Sequence, residues 1–563
     1  MGLKRFAVRA SALSVLLVMT LIAIASSPST YDPWLDGDQN GIIDVADLAL
    51  MAKAYGTTGN PKREFPTTAS YVIRNNGSHT YAIHWGGHID FCDTDAATVI
   101  NNAISSALSE GGGKIVIRKS PTEYELTQEL EIYADNLVLE ADKGTILKVV
   151  ADLQRPINIC GSHERPVKNI RVTGLVIDGG YRWLHYAVTG LVSIRYAENI
   201  ILDGIEVMKS GRERDRLVCQ AGICAHEVHK LWVTSCYIHE IQGSGIWVSS
   251  FPNEDSVSSE IYICHNNIIN CTADVEGPDA GILVRARNFF IDDNYIYRAH
   301  FGVSLPNGGW KTSVGCVTNN IMIGNAGSEK IAESGIEIFG EGTSYVHIMH
   351  NYFEKWCWEY KANPGYGGGF GIEVGNTYSS YTGDGVHHNV IAYNTINATG
   401  YTLETVGIAL NGKYNKVYGN QIIGANYRDI KEYGVSDYNE IYDNLVTHTN
   451  PEQRIDLEGW HSKTKNNQGW NPKGVLSSPF TGNTVGLRGA SQNPTADTDY
   501  RVYGVDVLVT SFGGTAVNIT IKDNAGNMVA YNLTTLSATY LPMEYKINFG
   551  SFTSAPTVIV SGN

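Results

Sequence analysis

The sequence predicts an all-β solenoid, a stack of short parallel coils, and two repeated frames carry that prediction. In the first, an aliphatic residue, two variable positions, Asn, one variable position and an apolar residue recur around seven asparagines: Asn266, Asn294, Asn320, Asn351, Asn394, Asn420 and Asn444. Successive asparagines lie 24 to 43 residues apart, so the unit is constant while its connections vary. Such a unit buries its apolar positions only by stacking on its neighbours. Asn on Asn at strand spacing passes amide hydrogen bonds along the pile and satisfies a polar group inside the core. Leu175, Ile205 and Cys236 fill the same slot N-terminally, giving ten marked coils. The second frame is Gly, aliphatic, any residue, aliphatic, starting at Gly222, Gly245, Gly281, Gly302, Gly335, Gly371 and Gly407. Apolar residues two apart turn one face inward and the residue between them outward. Each coil therefore carries at least two short strands, which pair in parallel with those of the next coil.

The segment from Asp93 to Ile117 reads as an amphipathic helix followed by a strand. Thr94 or Asp95 caps it, Val99, Ile100, Ala103, Ile104, Ala107 and Leu108 form one stripe, and Gly111 to Gly113 stop it. A helix placed there covers the open end of the first coil, an edge that would otherwise recruit other chains. With these features, residues 70 to about 474 resemble the right-handed parallel β-helix of the pectin-lyase-like superfamily. That resemblance implies a carbohydrate-active protein: the superfamily holds pectate and alginate lyases, chondroitinase-like lyases, polygalacturonase-like hydrolases and mannuronan epimerases. It carries over no catalytic residue. The polygalacturonase set of Asn-Thr-Asp, Asp-Asp, Gly-His-Gly and Arg-Ile-Lys is absent as a set, its Asp-Asp pair occurring only as Asp292-Asp293 inside a ladder frame. The Tyr-Gly-Phe/Ile-Asp-Pro-His motif of the epimerases is absent too.

Residues 1–25 place Lys4, Arg5 and Arg9 before an apolar run ending Ala23-Ile24-Ala25, the form of a secretory signal peptide, with an uncleaved membrane anchor as the alternative. No other long apolar segment follows, so the expectation is a secreted or cell-surface protein with no membrane span after cleavage. Removing those three positive charges takes the formal net charge from −15 to −18, which argues against nucleic acid and against capture of polyanions by bulk charge. A locally basic groove stays compatible with that total. The nine cysteines are an odd number without a CxxC pair, which argues against zinc ligation. Cys236 and Cys316 are expected to be buried, and Cys264–Cys271 or Cys219–Cys224 are the candidate local disulfides.

Within residues 32–60, Asp36, Asp38, Asn40, Ile42 (through its carbonyl), Asp44 and Asp47 stand at ligand positions of a Ca²⁺ loop with Gly41 at the sharp turn. The segment resembles a single dockerin repeat, with a small helix after the loop; dockerins ordinarily carry two copies. The resemblance implies Ca²⁺ as cofactor and a cohesin-like or cell-surface partner, against a calcium-stiffened linker. The solenoid is expected over residues 66–474. Residues 475–563 alternate polar and apolar positions between turn residues and predict a small antiparallel β-sandwich.

On the solenoid, Glu337 and Glu373 occupy the outward position of successive Gly frames, one strand spacing apart. Two such carboxylates are not both ionised cheaply without a cation or a shared proton. They suggest either a Ca²⁺ site or an acid–base pair, against a solvated ladder of outward glutamates. Arg285, Phe339 and Asn411 are expected on the same face, as is Trp247. Around the pair the connections lengthen and gain Trp356, Trp358, Tyr378 and Tyr381, rings suited to the faces of a sugar, against ordinary loop packing. His387, after Asp384, is the leading candidate for a general base, with His388, His347 and His350 nearby. The reading is a protein acting on a polysaccharide, as lyase or glycoside hydrolase, with a non-catalytic surface or adhesion protein as the alternative.

Overall fold

The computed structural model describes residues 68–468 apart from short excursions (185–188, 214–219, 251–256, 272–279, 307–312, 325–333, 341, 357, 360–366, 376–380, 382, 400–403, 449–454, 460–461 and 466), together with the backbone of strands between residues 484 and 562. The Ca²⁺ loop at Asp36, Asp38, Asn40, Ile42, Asp44 and Asp47 lies outside the described residues.

An antiparallel meander opens the described chain: β1 (Tyr71–Asn75), β2 (Thr80–His84) and β3 (Ile89–Asp93). Helix α1 (Ala96–Ser109) follows, capped by Asp95, whose carboxylate accepts from the Thr98 amide, and its stripe from Val99 to Leu108 is buried. The Gly112 amide donates to the Ala107 carbonyl to close its C-terminus, with Gly111 and Gly112 both at positive φ. α1 packs against the first strands, and β4 (Gly113–Ile117) pairs in parallel with β1.

From there the chain is a right-handed parallel β-helix. Each regular coil has three strands, one more than the two frames demand, and each strand pairs in parallel only with its counterparts one coil before and after. The front sheet holds the Gly frames, for example Ser334–Phe339 between Phe301–Pro306 and Gly367–Val374. The second sheet holds Ser344–Met349 and the third Tyr352–Glu354, with the ladder Asn at the corner between them. Inward side chains such as Ile336, Ile338, Ile348 and Phe353 are fully buried and join one continuous apolar core.

The Asn ladder is continuous. Nδ2 of Asn266, Asn294, Asn320, Asn351, Asn394 and Asn420 each donates to Oδ1 of the next asparagine at 2.9–3.0 Å. The same Oδ1 also takes the preceding ladder residue's backbone N–H, as Asn351 does from Asn320. An eighth rung, Asn467, extends the pile beyond Asn444. At the N-terminal end the Cys236 amide donates to Asn266 Oδ1, closing the ladder without a side-chain partner. The residue before each Asn from Asn266 to Asn444 bends the corner at positive φ, including His265, Asp293, His350 and Tyr393. A non-glycine residue held there costs roughly 1–2 kcal/mol, and the amide pile fixes it in place.

The frame glycines form their own column. A Cβ on Gly371 would lie 2.6 Å from Ile396 Cγ2 and 2.7 Å from the Gly407 carbonyl oxygen, and neither can retreat without moving a coil. Gly371→Ala is therefore expected to destabilise the helix by about 3 kcal/mol, read as a fall in the denaturant midpoint at unchanged slope.

The C-terminal strands are antiparallel as their alternation predicts: Val505–Val509 with Met543–Ile547, and Ala516–Lys522 with Met528–Thr535 and Thr557–Gly562. Cys264 and Cys271 are not joined to one another. Cys264 lies on the outer side of the second sheet while Cys271 turns into the core of the third, so that disulfide is corrected. Cys224 is joined to no other described cysteine, and Cys219 lies outside the described residues. Cys236 is buried as expected, whereas Cys316 is only partly covered.

Candidate functional site

Inward and outward residues alternate strictly along the front sheet, so its outer face can be followed rung by rung. One outward column runs Asn158, Ser193, Cys224, Trp247, Leu283, Ser304, Glu337, Glu373, Ala409, Lys431, Asp456. Glu337 and Glu373 are direct register partners, about 4.8 Å apart along the axis. Each takes a hydroxyl from the preceding coil: Ser304 Oγ donates to Glu337 at 3.0 Å and Ser334 Oγ to Glu373 at 3.3 Å. Glu337 is half-buried and Glu373 almost fully buried, a different setting from a solvated ladder. Phe339 shares their face, two residues beyond Glu337, and Asn411 lies in the neighbouring column.

The other expected residues separate. His387 lies beyond the corner, bridging to Ser344 of the second sheet, with its Nδ1 2.8 Å from His388 Nδ1. Burial pushes the His387 imidazole below its ordinary value, against the opposing pull of Asp384. Trp356 is corrected: its ring is packed into the core against Gly302 and its indole N–H donates to the Met322 carbonyl, so it is a structural residue and not a sugar platform. Tyr381 is half-buried. Tyr378 and the side chain of Trp358 lie outside the described residues.

Arg285 and Trp247 meet instead at the N-terminal half of the same face, around a residue the frames do not mark. His226 follows Cys224 by two positions and so points the same way. Arg195 pairs with His226 in register, His226 with Ser249, and the Arg285 amide bonds the Val248 carbonyl to set the next rung. Trp247 lies with its ring centroid 6.0 Å from the His226 ring, and Cys224 Sγ is 3.2 Å from His226 Nε2. Arg155 and Glu129 complete the group: the Arg155 amide donates to Glu129 Oε1 at 3.0 Å, and Asn158 Nδ2 approaches Oε2 at 3.5 Å.

The electrostatics of this group are unusual for an acidic chain. Three guanidinium groups face one carboxylate, and Nε of Arg155, Arg195 and Arg285 is in each case buried with no hydrogen-bond partner among the described residues. The Trp247 indole N–H is in the same condition. Buried donors without partners are costly, at roughly 1–3 kcal/mol each. Burial, then Arg195 and Arg285, pull His226 down from 6.5 to about 4. Burial pushes the Cys224 thiol up to about 12 against the opposing pull of Arg195 and Arg155. Both are neutral at ordinary pH. The Sγ–Nε2 contact holds the ring, and which atom donates depends on the tautomer; the tautomer with the proton on Nε2 is the one that leaves a basic lone pair on Nδ1. Burial lowers Arg285 and raises Glu129.

No protein-family model matches this chain, and no curated protein does. Among solved structures it is similar to the A-module of the Azotobacter vinelandii mannuronan C-5 epimerase AlgE6, at 14% identity over 65% of this chain and 93% of that one, with a TM-score of 0.48. It is also similar to the AlgE4 A-module from the same organism (17%, 66% and 96%, TM-score 0.35) and to the DFA-IIIase of Arthrobacter chlorophenolicus A6 (13%, 62% and 91%, TM-score 0.40). At that level of likeness the chemistry rests on this chain's own residues.

Proposed function

We propose that this is an extracellular carbohydrate-active enzyme that cleaves a uronic-acid polysaccharide by β-elimination at the Arg195–His226–Arg285 cluster. The observation that supports it is the pairing of a neutral, buried imidazole with flanking guanidinium groups whose buried Nε donors have no partner among the described residues. A uronate carboxylate seated between Arg195 and Arg285 accepts from their guanidinium groups and has its negative charge neutralised as the adjacent carbon loses its proton. His226 takes the C5 proton, the C5–H electron pair forms the C4–C5 double bond, and the C4–O4 bond breaks with its electrons on the leaving oxygen, which is then protonated. Trp247 lies beside the imidazole, where its ring flanks the bound sugar. Seating the carboxylate also offsets the two cations that depress His226, so the bound complex has a stronger base than the free enzyme.

The test is a panel of uronic and neutral glycans, followed by absorbance near 235 nm for unsaturated products and by reducing ends. Both signals together on a uronic polymer are expected. Reducing ends without absorbance would assign a glycoside hydrolase, the reading that the in-register Glu337 and Glu373 favour. Silence on every glycan would favour the non-catalytic surface protein. Arg285→Met is expected to lower kcat/KM at least about tenfold, through a fall in kcat as well as a rise in KM, because a charge-assisted hydrogen bond to substrate contributes roughly 1.5–3 kcal/mol.

Ca²⁺ binding by Asp36, Asp38, Asn40, Ile42, Asp44 and Asp47, export, and a cohesin-like or cell-surface partner remain parts of this proposal that stand on sequence spacing. Calcium is expected to raise the melting temperature of the first unfolding transition, and Asp36→Ala to remove that rise.

A further inference from the structure

We infer that His84, His88 and Asp90 form a binding site for a first-row transition-metal dication of the zinc class, separate from the front-sheet site and from the oxygen-ligand loop near the N-terminus. The three side chains offer two imidazoles and a carboxylate whose donor atoms all lie within 4.8 Å of one another. Two nitrogens and one oxygen suit Zn²⁺ and its neighbours, whereas Ca²⁺ and Mg²⁺ take oxygen sets.

The local fold explains why they converge. β2 ends at His84 and β3 begins at Ile89, and the chain between them is the tight turn Trp85-Gly86-Gly87-His88. The His84 amide donates to the His88 carbonyl at 2.9 Å and the Gly87 amide to the His84 carbonyl at 2.8 Å. Gly87 takes φ +85, a conformation that glycine adopts at no steric cost. Gly86 leaves a gap between the two rings, since a Cβ there would come 3.2 Å from His88 Nδ1 and 3.4 Å from His84 Nδ1. The ring centroids stand 4.8 Å apart.

The carboxylate is already in place. His88 Nε2 lies 3.0 Å from Asp90 Oδ1, while Asp90 Oδ2 accepts from the Tyr71 hydroxyl at 2.8 Å. Tyr71 is buried, and its oxygen also bonds Ser106 on α1 at 3.0 Å. A ligand carboxylate held by an outer hydroxyl that is itself anchored in the core is the arrangement that fixes ligand direction at metal sites. Donors on a tetrahedral zinc stand roughly 3.3 Å apart, given zinc–nitrogen bonds of about 2.0–2.1 Å. The part-buried His84 ring and the exposed His88 ring therefore need to close by no more than about 1.5 Å. Three protein ligands leave a fourth position for water or an external donor. The cysteine pattern gave no sign of this site because it contains no cysteine.

The test uses the untagged full-length chain saturated with calcium, so that the Asp36 loop does not compete. Zn²⁺ is titrated against a chromophoric chelator, and Co²⁺ is added separately as a spectroscopic probe. The expected result is one zinc equivalent more in wild type than in His88→Ala or Asp90→Asn, at least about tenfold tighter, and a tetrahedral Co²⁺ ligand-field band that both variants lose. His88 is exposed, so its loss is tolerated by the fold; Tyr71→Phe provides a second variant, in which zinc binds but more weakly. Equal zinc uptake in wild type, His84→Ala and His88→Ala would overturn the inference, as would the absence of uptake by wild type.

Discussion

His226→Gln is expected to lower kcat/KM on a uronic-acid polysaccharide by about 100-fold or more, the range that removal of a positioned general base produces. Gln keeps the shape of the ring's polar edge and cannot accept the proton. The pH profile gives a second readout. Burial and two guanidinium groups hold the free-enzyme imidazole near 4, so the acid limb of kcat/KM is expected near pH 4 rather than near 6.5. The limb of kcat is expected at higher pH, because the bound carboxylate offsets Arg195 and Arg285. Stability carries the same signature. The folded pKa lies below the ordinary 6.5, so the unfolded chain binds more protons between those values, and stability falls as pH drops from 6.5 toward 4. A shift of that size corresponds to roughly 3 kcal/mol. Guanidinium unfolding at pH 7 and pH 4.5 is expected to show His226→Gln losing less stability than wild type over that interval. Identical losses would mean that the imidazole is not held neutral.

The second large effect concerns the ladder. Asn351→Leu keeps the branched heavy-atom skeleton, with two bulkier methyl groups, and removes a donor and an acceptor at once. Asn351 Oδ1 accepts both the Asn320 amide and Asn320 Nδ2, and its own Nδ2 donates to the Val317 carbonyl at 2.8 Å and to Asn394 at 3.0 Å. Leucine strands those buried groups in an apolar corner. At 1–3 kcal/mol per stranded group, the loss is on the order of 4 kcal/mol, partly relieved where neighbours find a second bond. In a stacked solenoid the damage stays near its coil. Amide hydrogen exchange at Asn320 and Tyr352 is therefore expected to accelerate far more than at Asn444. Exchange that is unchanged at Asn320 would contradict the pile.

The architecture was legible because stacking imposes its own repeat. The Asn slot and the Gly column answer to single contacts, one amide to the next coil's amide and one missing Cβ against the next coil's carbonyl, and both leave a mark at fixed spacing. A second, shorter pile formed by Asn389, Asn415 and Asn439 was just as readable: each lies five residues before a ladder asparagine. The register of Glu337 with Glu373 followed from the Gly frame alone.

The site was only half legible. The sequence marks Arg285 and Trp247 but places them with the glutamate pair, which lies two rungs from Leu283, about 10 Å along the axis. His226 and Arg195 were missed. The frame ends one position before the second outward residue of each strand. The strand holding Arg195 also lacks the frame, because Gly190 pairs with Ala221 and not with Gly222. Burial of Trp356 was unreadable for a different reason. Nothing in a run of aromatic residues says which ring fills the space that Gly302 leaves open one coil earlier.

The central claim is that the front sheet beside His226 receives a uronate. Its most direct measurement is the crystal structure of the His226→Gln chain soaked with a saturated uronic-acid oligosaccharide. The expected result is a sugar carboxylate bridging Arg195 and Arg285, with the adjacent ring carbon facing position 226. An oligosaccharide seated only at Glu337 and Glu373, or bound away from the front sheet, would contradict it.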